Sequence, residues 1–288
     1  MQVISWNIQC GLGVDGKVDL ARIANVIREM GDADIICLQE VSRFNPDLDM
    51  GMGYDQVAEF SALFPEHDPV FGAAIDRLHP TTGQRWQFGN LILSRLPVIQ
   101  IFNHLLPQPV SEMPVKHMPR QATEIVVQTA NDPLRVITTH LEFHSAHQRI
   151  AQMIRLRDNL GDVLANLPYD PGILSTDPYA AIPRPANTIL CGDFNSTPND
   201  EDYRTLTEPF HALADGYDDG WCIVHKDKEH APTCGLYDHV QWPQGAHCRD
   251  FFFVSGALKQ SITSLDVQLQ TDASDHQPLS LVIADQGL

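Results

Sequence analysis

Short apolar runs, each closed by a polar residue, recur from one end of this 288-residue chain to the other, and they restrict its fold more than any other feature. Val3-Ile4-Ser5-Trp6 ends at Asn7, Cys37-Leu38-Gln39 at Glu40, and Val136-Ile137-Thr138-Thr139 at His140. Ile189-Leu190-Cys191-Gly192 ends at Asp193 and Asn195, and Asp275-His276 precedes the last such run. Continuous short apolar runs are the mark of strands buried on both faces, with polar ends emerging where ligands are commonly held.

Strand patterns fall at residues 2–7, 34–39, 69–75, 89–94, 98–105, 121–129, 134–141, 188–191, 249–255, 261–268 and 278–284. Turn signals such as Leu96-Pro97, residues 107–119 and Asn131-Asp132-Pro133 separate several of them. Asp19 stands as an N-cap before Leu20, Ile23, Ala24 and Ile27, a helical spacing. A second helix is expected at 54–63. The longest, at 145–167, carries a stripe of Ile150, Met153, Ile154, Arg157, Leu160 and Leu164 before Pro168. Residues 42–85 read as a variable excursion, 169–186 as a loop and 197–247 as mostly irregular. Many strands with few helices predict an α/β sandwich of two packed mixed sheets with helices outside. With 43% hydrophobic residues, one core over residues 1–288 is expected.

The chain carries 19 Lys+Arg against 37 Asp+Glu, a net charge of −18. Such a surface repels polyanions on average and disfavours duplex DNA as a partner, although a local basic patch or bound cations can reverse the field. No run has the apolar length of a membrane span, and Met1 leads into a strand pattern rather than a signal. The six cysteines show no Cys-x-x-Cys pair and no zinc spacing. Cys37 and Cys191 sit in apolar runs, as buried free thiols do, so a cytoplasmic protein is expected.

The strand-end residues form a chemical set. Glu40, Asp275 and Asn7 offer hard oxygen donors suited to Mg²⁺ or Mn²⁺. Asp193 can take a proton from an attacking water while Asn195 positions it, and histidines can donate to charge developing on a phosphoryl group.

Seven segments, in order, resemble the endonuclease/exonuclease/phosphatase superfamily: Ser5-Trp6-Asn7, Leu38-Gln39-Glu40-Val41, Gly89 through Arg95, Thr139-His140-Leu141-Glu142, Gly192-Asp193-Phe194-Asn195, Arg249-Asp250-Phe251-Phe252-Phe253 and Ser274-Asp275-His276-Gln277-Pro278. The resemblance implies a four-layer, DNase I-like α/β sandwich. It makes Glu40 the principal metal ligand, with Asn7 orienting metal or phosphate and Asp275 acidic beside the metal. Asp193 would activate water with Asn195 as partner, His276 would contact the scissile phosphate with Asp250 orienting it, and His140 would touch the phosphate. Arg149 and Gln152 match the family as scaffold. Two departures bear on substrate: Thr-His-Leu-Glu continues as Phe143-His144-Ser145, and Cys248-Arg249-Asp250-Phe251 lacks a Tyr found in many relatives.

Other residues keep two readings. Arg120 is a substrate contact or a strand-end salt bridge. Trp221, Trp242 and Tyr237 shape a substrate wall or pack their own loop. His144 and His147 read as exposed helix-start residues rather than a metal pair. The expected activity is a Mg²⁺- or Mn²⁺-dependent phosphodiesterase acting on a small or lipid-like phosphodiester, with nucleic-acid cleavage as the alternative. A binuclear metallophosphoesterase would show an early Asp-x-His and a Gly-Asn-His, absent in that order. An inactive binding relative would have lost a core residue, and none is lost.

Overall fold

The computed structural model describes residues 1–111, 113–169, 184–209 and 216–284. Its strands, in chain order, begin with β1 (Gln2–Asn7), β2 (Ile35–Arg43), β3 (Asp68–Leu78), β4 (Arg85–Ser94), β5 (Val98–Leu105) and β6 (Gln121–Gln128). They continue with β7 (Pro133–His140), β8 (Thr188–Asp193), β9 (Asp218–Asp219), β10 (Asp250–Ser255), β11 (Ile262–Val267) and β12 (Leu279–Ile283). Two six-stranded sheets result, ordered β11-β12-β1-β2-β4-β3 and β5-β6-β7-β8-β10-β9. Each is mixed: β1–β2 and β7–β8 are parallel pairs among antiparallel neighbours.

The inner faces meet in one apolar layer. Val3, Ile35, Cys37, Ile92 and Leu281 of the first sheet pack with Ile125, Val136, Ile189, Cys191 and Phe252 of the second. Helices cover the outer faces. On the first, α1 (Leu20–Glu29) and α2 (Gln56–Leu63) bury Ile23, Ile27 and Phe60 against Ile4, Ile36 and Leu91. On the second, α3 (Ala146–Asn166) and α4 (Glu201–Thr207) place Met153, Leu156, Leu160 and Leu206 on Leu190, Phe251 and Phe253. A short α5 (Gly220–His225) follows β9. This is the expected α/β sandwich of two mixed sheets flanked by helices. The Asp19 cap forms as predicted, accepting from the Arg22 amide, and Ser145 caps α3 in the same way by accepting from that of Gln148.

Four details differ from the sequence reading. Strand β2 does not stop at Gln39; its pairing with β4 shifts register between Leu38 and Val41, and Glu40 sits there at φ 57°. A bulge of this kind re-aims a side chain without ending the strand. In residues 42–85 the expected helix and strand form as α2 and β3, but β3 and β4 run on past the expected 69–75 and 89–94 into a longer hairpin, and residues 197–247, expected to be mostly irregular, contain α4, β9 and α5. The buried stripe of α3 is rotated from the expected one, with Gln148 and Gln152 inside and Ile154 exposed. Gln148 donates to Pro109 O and Gln152 to Pro107 O, so the two amides hold carbonyls of the preceding loop. The predicted loop 169–186 lies, over residues 170–183, outside the described residues.

Candidate active site

Pairing register gathers the polar strand ends. His140 stands opposite Asp193 across β7–β8, and Asp250 opposite Asp193 across β8–β10. Asn7, from the other sheet, donates through Nδ2 to Glu40 Oε1 at 3.0 Å and to Asp193 Oδ2 at 2.9 Å. Gly192 permits the close approach beside Asp193: its φ is +137°, and a Cβ there would lie 1.9 Å from the Thr139 carbonyl oxygen. Asn195, at φ 51°, donates its backbone N–H to Asp193 Oδ1 at 2.9 Å, while its side-chain amide donates to Leu141 O at 3.0 Å.

Both imidazoles face Asp193 Oδ2, His140 Nε2 at 3.5 Å and His276 Nε2 at 3.7 Å. The opposite nitrogen of His276 lies 2.8 Å from Asp250 Oδ2, which also accepts from Thr233 Oγ1 at 2.6 Å. Asp275 Oδ2 accepts from the Trp242 indole N–H at 3.2 Å, and Ser274 Oγ donates to Asn7 O at 2.8 Å. Arg120, buried, pairs with Glu142 at 3.4 Å and leaves its Nη1 without a hydrogen bond, as His140 leaves its Nδ1.

Burial and mutual charge set the protonation states. Burial, reinforced by the nearby Asp275 carboxylate, pushes Glu40 up to about 7, against the opposing hydrogen bond from Asn7. Burial works against ionising Asp193, yet the facing His276 and His140, with the Asn7 and Asn195 donors, hold its carboxyl below the ordinary value. Burial also opposes charge on His276, but Asp250, Asp193 and Asp275 outweigh it and raise the imidazolium well above its usual range. For His140 burial wins, helped by the positive charge of Arg120, and its value falls to about 3.

Glu40, His140 and Asp193 bring ligand atoms within 4.8 Å of one another, as do Asp193, Asp250 and His276. Buried carboxylates whose charges repel each other, one of them driven towards neutrality, form an acidic pocket that a divalent cation would relieve. The hard oxygen donors of Glu40, Asp193 and Asp275 therefore fit Mg²⁺ or Mn²⁺.

All eight predicted core residues, Asn7, Glu40, His140, Asp193, Asn195, Asp250, Asp275 and His276, converge here. Glu40, Arg120, His140, Phe143, His144 and Trp242 help to line a cleft of about 240 Å³ over them. His144 is exposed as expected but borders that cleft, whereas His147 is simply exposed. Trp221 stacks on His230 and packs at a tilt against His225, away from the cleft, and the Tyr237 hydroxyl donates to Leu269 O. Arg149 and Gln152 act as scaffold. Arg149 donates to the carbonyls of Glu142 and Phe143 and pairs with Asp202, and Gln152 accepts from the Glu142 amide. Sequence reasoning missed Thr233 and Arg249. Arg249 lies over the touching rings of Phe143 and Trp242, 5.3 and 4.9 Å from their centres, and donates to Asn195 O at 3.0 Å. Arg249 adjoins Asp250 in the recognised segment; nothing in its local pattern marks Thr233.

The profile of the endonuclease/exonuclease/phosphatase family matches residues 4–276. The chain belongs to this family. Solved structures agree in fold. An endonuclease/exonuclease/phosphatase from Beutenbergia cavernae superposes with TM-score 0.69 at 22% identity, over 98% of this chain and 70% of the other. A mannosyl-6-phosphatase from Bacteroides thetaiotaomicron gives 0.67 at 15%, over 99% of each chain. A 3′ phosphatase from Neisseria, bound to product DNA hairpin, gives 0.61 at 18%, again over 99% of each. No curated protein matches in sequence. Family membership and the carboxylate–imidazole clusters together support a metal-dependent hydrolase of the phosphoesterase or nuclease type. No described helix is long and apolar enough to cross a membrane.

Proposed function

We propose that residues 1–288 act as one catalytic domain, a Mg²⁺- or Mn²⁺-dependent phosphodiesterase that attacks a small or lipid-like phosphodiester with an activated water. The observation that carries this reading is the setting of Asp193: Asn7 from the opposite sheet, two imidazoles and the Asn195 amide all converge on one carboxylate. Held ionised, Asp193 orients the water and accepts its proton as the oxygen attacks phosphorus in line with the ester oxygen. His276, kept charged by Asp250, donates to the phosphoryl oxygens as negative charge grows on them. His140, neutral, and Arg120, with a free buried N–H, supply further contacts to the same oxygens.

Glu40, Asn7 and Asp275 would hold the cation, with Asp193 beside them. When bound, the cation would polarise the phosphoryl group and neutralise its charge. The cleft walls support this substrate class. Phe143, Trp242 and Met118 supply apolar surface, and among the described residues Arg120 is the one Lys or Arg lining the cleft. A duplex is normally held by several phosphate contacts spread along its backbone, which this lining does not offer. The Neisseria relative in complex with a DNA hairpin makes nucleic acid the arm to test directly.

The deciding experiment compares bis-p-nitrophenyl phosphate, p-nitrophenyl phosphate, lipid phosphodiesters, duplex DNA and RNA, with and without Mg²⁺ or Mn²⁺, for the wild type and Asp193→Ala. Diester turnover that needs both the metal and Asp193 is expected. Preferential duplex cleavage would replace the substrate assignment, and absence of any Asp193-dependent turnover would remove the enzymatic one.

A further inference from the structure

A second constellation of metal-binding groups lies outside the catalytic cleft. Asp219, Cys222 and His230 bring a carboxylate oxygen, a thiol and a ring nitrogen within 4.8 Å of one another. We propose that these three residues form a second metal site, distinct from the catalytic one, that takes a borderline-soft cation of the Zn²⁺ class.

Local structure prepares the site. Asp219 is the N-cap of α5: its Oδ1 accepts from the Trp221 amide at 2.7 Å, which fixes the carboxylate plane. Its Oδ2 lies 2.7 Å from His230 Nε2 and accepts from the Tyr203 hydroxyl at 2.8 Å. Cys222 follows inside the first turn of α5, with its sulfur within 4.8 Å of the carboxylate. The His230 ring is held in place by Trp221, stacked at 5.8 Å between centres, and by the edge of Phe251 at 5.6 Å. Ligand atoms around a tetrahedral zinc stand roughly 3.3 to 3.6 Å apart, as bond lengths of about 2.0 to 2.3 Å require. The His230–Asp219 contact is somewhat shorter than that, so a cation would enter by replacing one hydrogen bond with a small opening of the pair.

The donor set decides the cation. One sulfur, one imidazole and one carboxylate select Zn²⁺ and its neighbours over Mg²⁺ or Ca²⁺, which prefer oxygen alone. Tyr203 would serve as the outer hydrogen-bond donor that orients the ligating carboxylate. Cys222 adds an independent argument. It is the exposed one of six cysteines, the other five being buried, and an exposed thiol beside a fixed carboxylate and a fixed imidazole contributes little to packing. Asp219, buried, is already engaged by Tyr203, the Trp221 amide and His230 without any help from the sulfur.

The site would also reach the catalytic centre through the chain. Three residues after His230, Thr233 holds Asp250, and Asp250 holds His276. A cation on His230 would therefore tether the chain three residues before Thr233.

The test is Co²⁺ titration of the chelator-treated full chain in excess Mg²⁺, which keeps the catalytic oxygens occupied. The expected result is a thiolate-to-cobalt charge-transfer band and the intense visible bands of a tetrahedral ion, saturating at one Co²⁺ per chain. Cys222→Ser and His230→Gln should each abolish the charge-transfer band, and Asp193→Asn should leave it intact. Zn²⁺ should displace the cobalt and raise the melting midpoint of the wild type but not of Cys222→Ser. Because Cys222 is exposed, its serine variant should fold and serve as the clean control. A band that survives in Cys222→Ser would place the metal elsewhere, at Cys234 and His247 for example, 3.3 Å apart, and would overturn the proposal. So would titration with no thiolate band.

Discussion

Asp193 is flanked by groups that keep it ionised, so removing its charge should cost catalysis far more than folding. Asp193→Asn is expected to lower kcat by about 10² to 10⁴-fold, the usual range for a positioned acid–base group, with an unchanged circular dichroism spectrum. Thr233 touches no substrate group but holds Asp250, so Thr233→Val should act through His276. A drop in kcat of roughly tenfold with little change in KM is expected, the scale of outer-contact mutations. A purely structural role would instead show as a lowered melting midpoint with kcat unchanged. Glu40 yields a pH prediction. Its carboxyl sits at about 7 because of burial and Asp275, and a ligating carboxylate must be deprotonated. Divalent-metal affinity should therefore rise with pH below about 7, by at most about tenfold per unit, and level off above it. Calorimetry in buffers of different ionisation enthalpy should show proton release on binding at pH 6.5 that vanishes by pH 8.5.

Strands and helices carry the next level of explanation. Glu124 on β6 and Arg135 on β7 form a fully buried double contact, 2.9 and 3.1 Å, which His104 and Arg184 extend. Burial alone would raise the Glu124 carboxyl, but these partners hold it well below the ordinary range. Its folded value thus lies below the unfolded one, so its stabilisation is complete above the unfolded value of about 4.3 and declines as pH falls beneath it. Glu124→Gln should cost about 3 to 5 kcal/mol at pH 7, the price of stranding a buried partner, and the gap from wild type should narrow below pH 4 in urea titrations.

Most elements were legible in the sequence because their causes are local. Continuous apolar runs marked the central strands, and Asp19 announced the helix whose amide it caps. The rotated stripe of α3 was not legible, since Gln148 and Gln152 are buried by loop carbonyls far away in sequence. The bulge at Glu40 leaves no periodic trace, and of the β3–β4 hairpin the extensions through residues 76–78 and 85–88 escaped the pattern. The catalytic centre was legible for a related reason: most of its groups stand at or just beyond a strand end, Glu40 at the bulge of β2 being the exception, and the seven family segments gave their order. Thr233, Trp242, Cys222 and His230 belong to stretches without periodicity. Asp219, Cys222 and His230 are spaced as Asp-x-x-Cys followed seven intervening residues later by His, which no paired-cysteine pattern would reveal.

Across the whole molecule, a net charge of −18 opposes every anionic substrate at long range. Monovalent salt should screen this field, so kcat/KM for an anionic diester at fixed saturating Mg²⁺ should increase as ionic strength rises from about 0.01 to 0.15 M, where the Debye length shortens from about 30 to 8 Å. A fall over that range, in stopped-assay rates, would indicate a locally positive approach to the cleft and would favour the nucleic-acid reading.

The amide of Asn7 crosses from one sheet to the other to reach Asp193. A slip of the layers by a single residue, about 3.3 Å, would carry that donor out of bonding range of its partner. Turnover is therefore a gauge of interlayer alignment. Chains that have formed both sheets but not yet meshed their inner faces should show full secondary structure in refolding experiments and stay catalytically silent, so recovery of activity should time the final locking of the two layers.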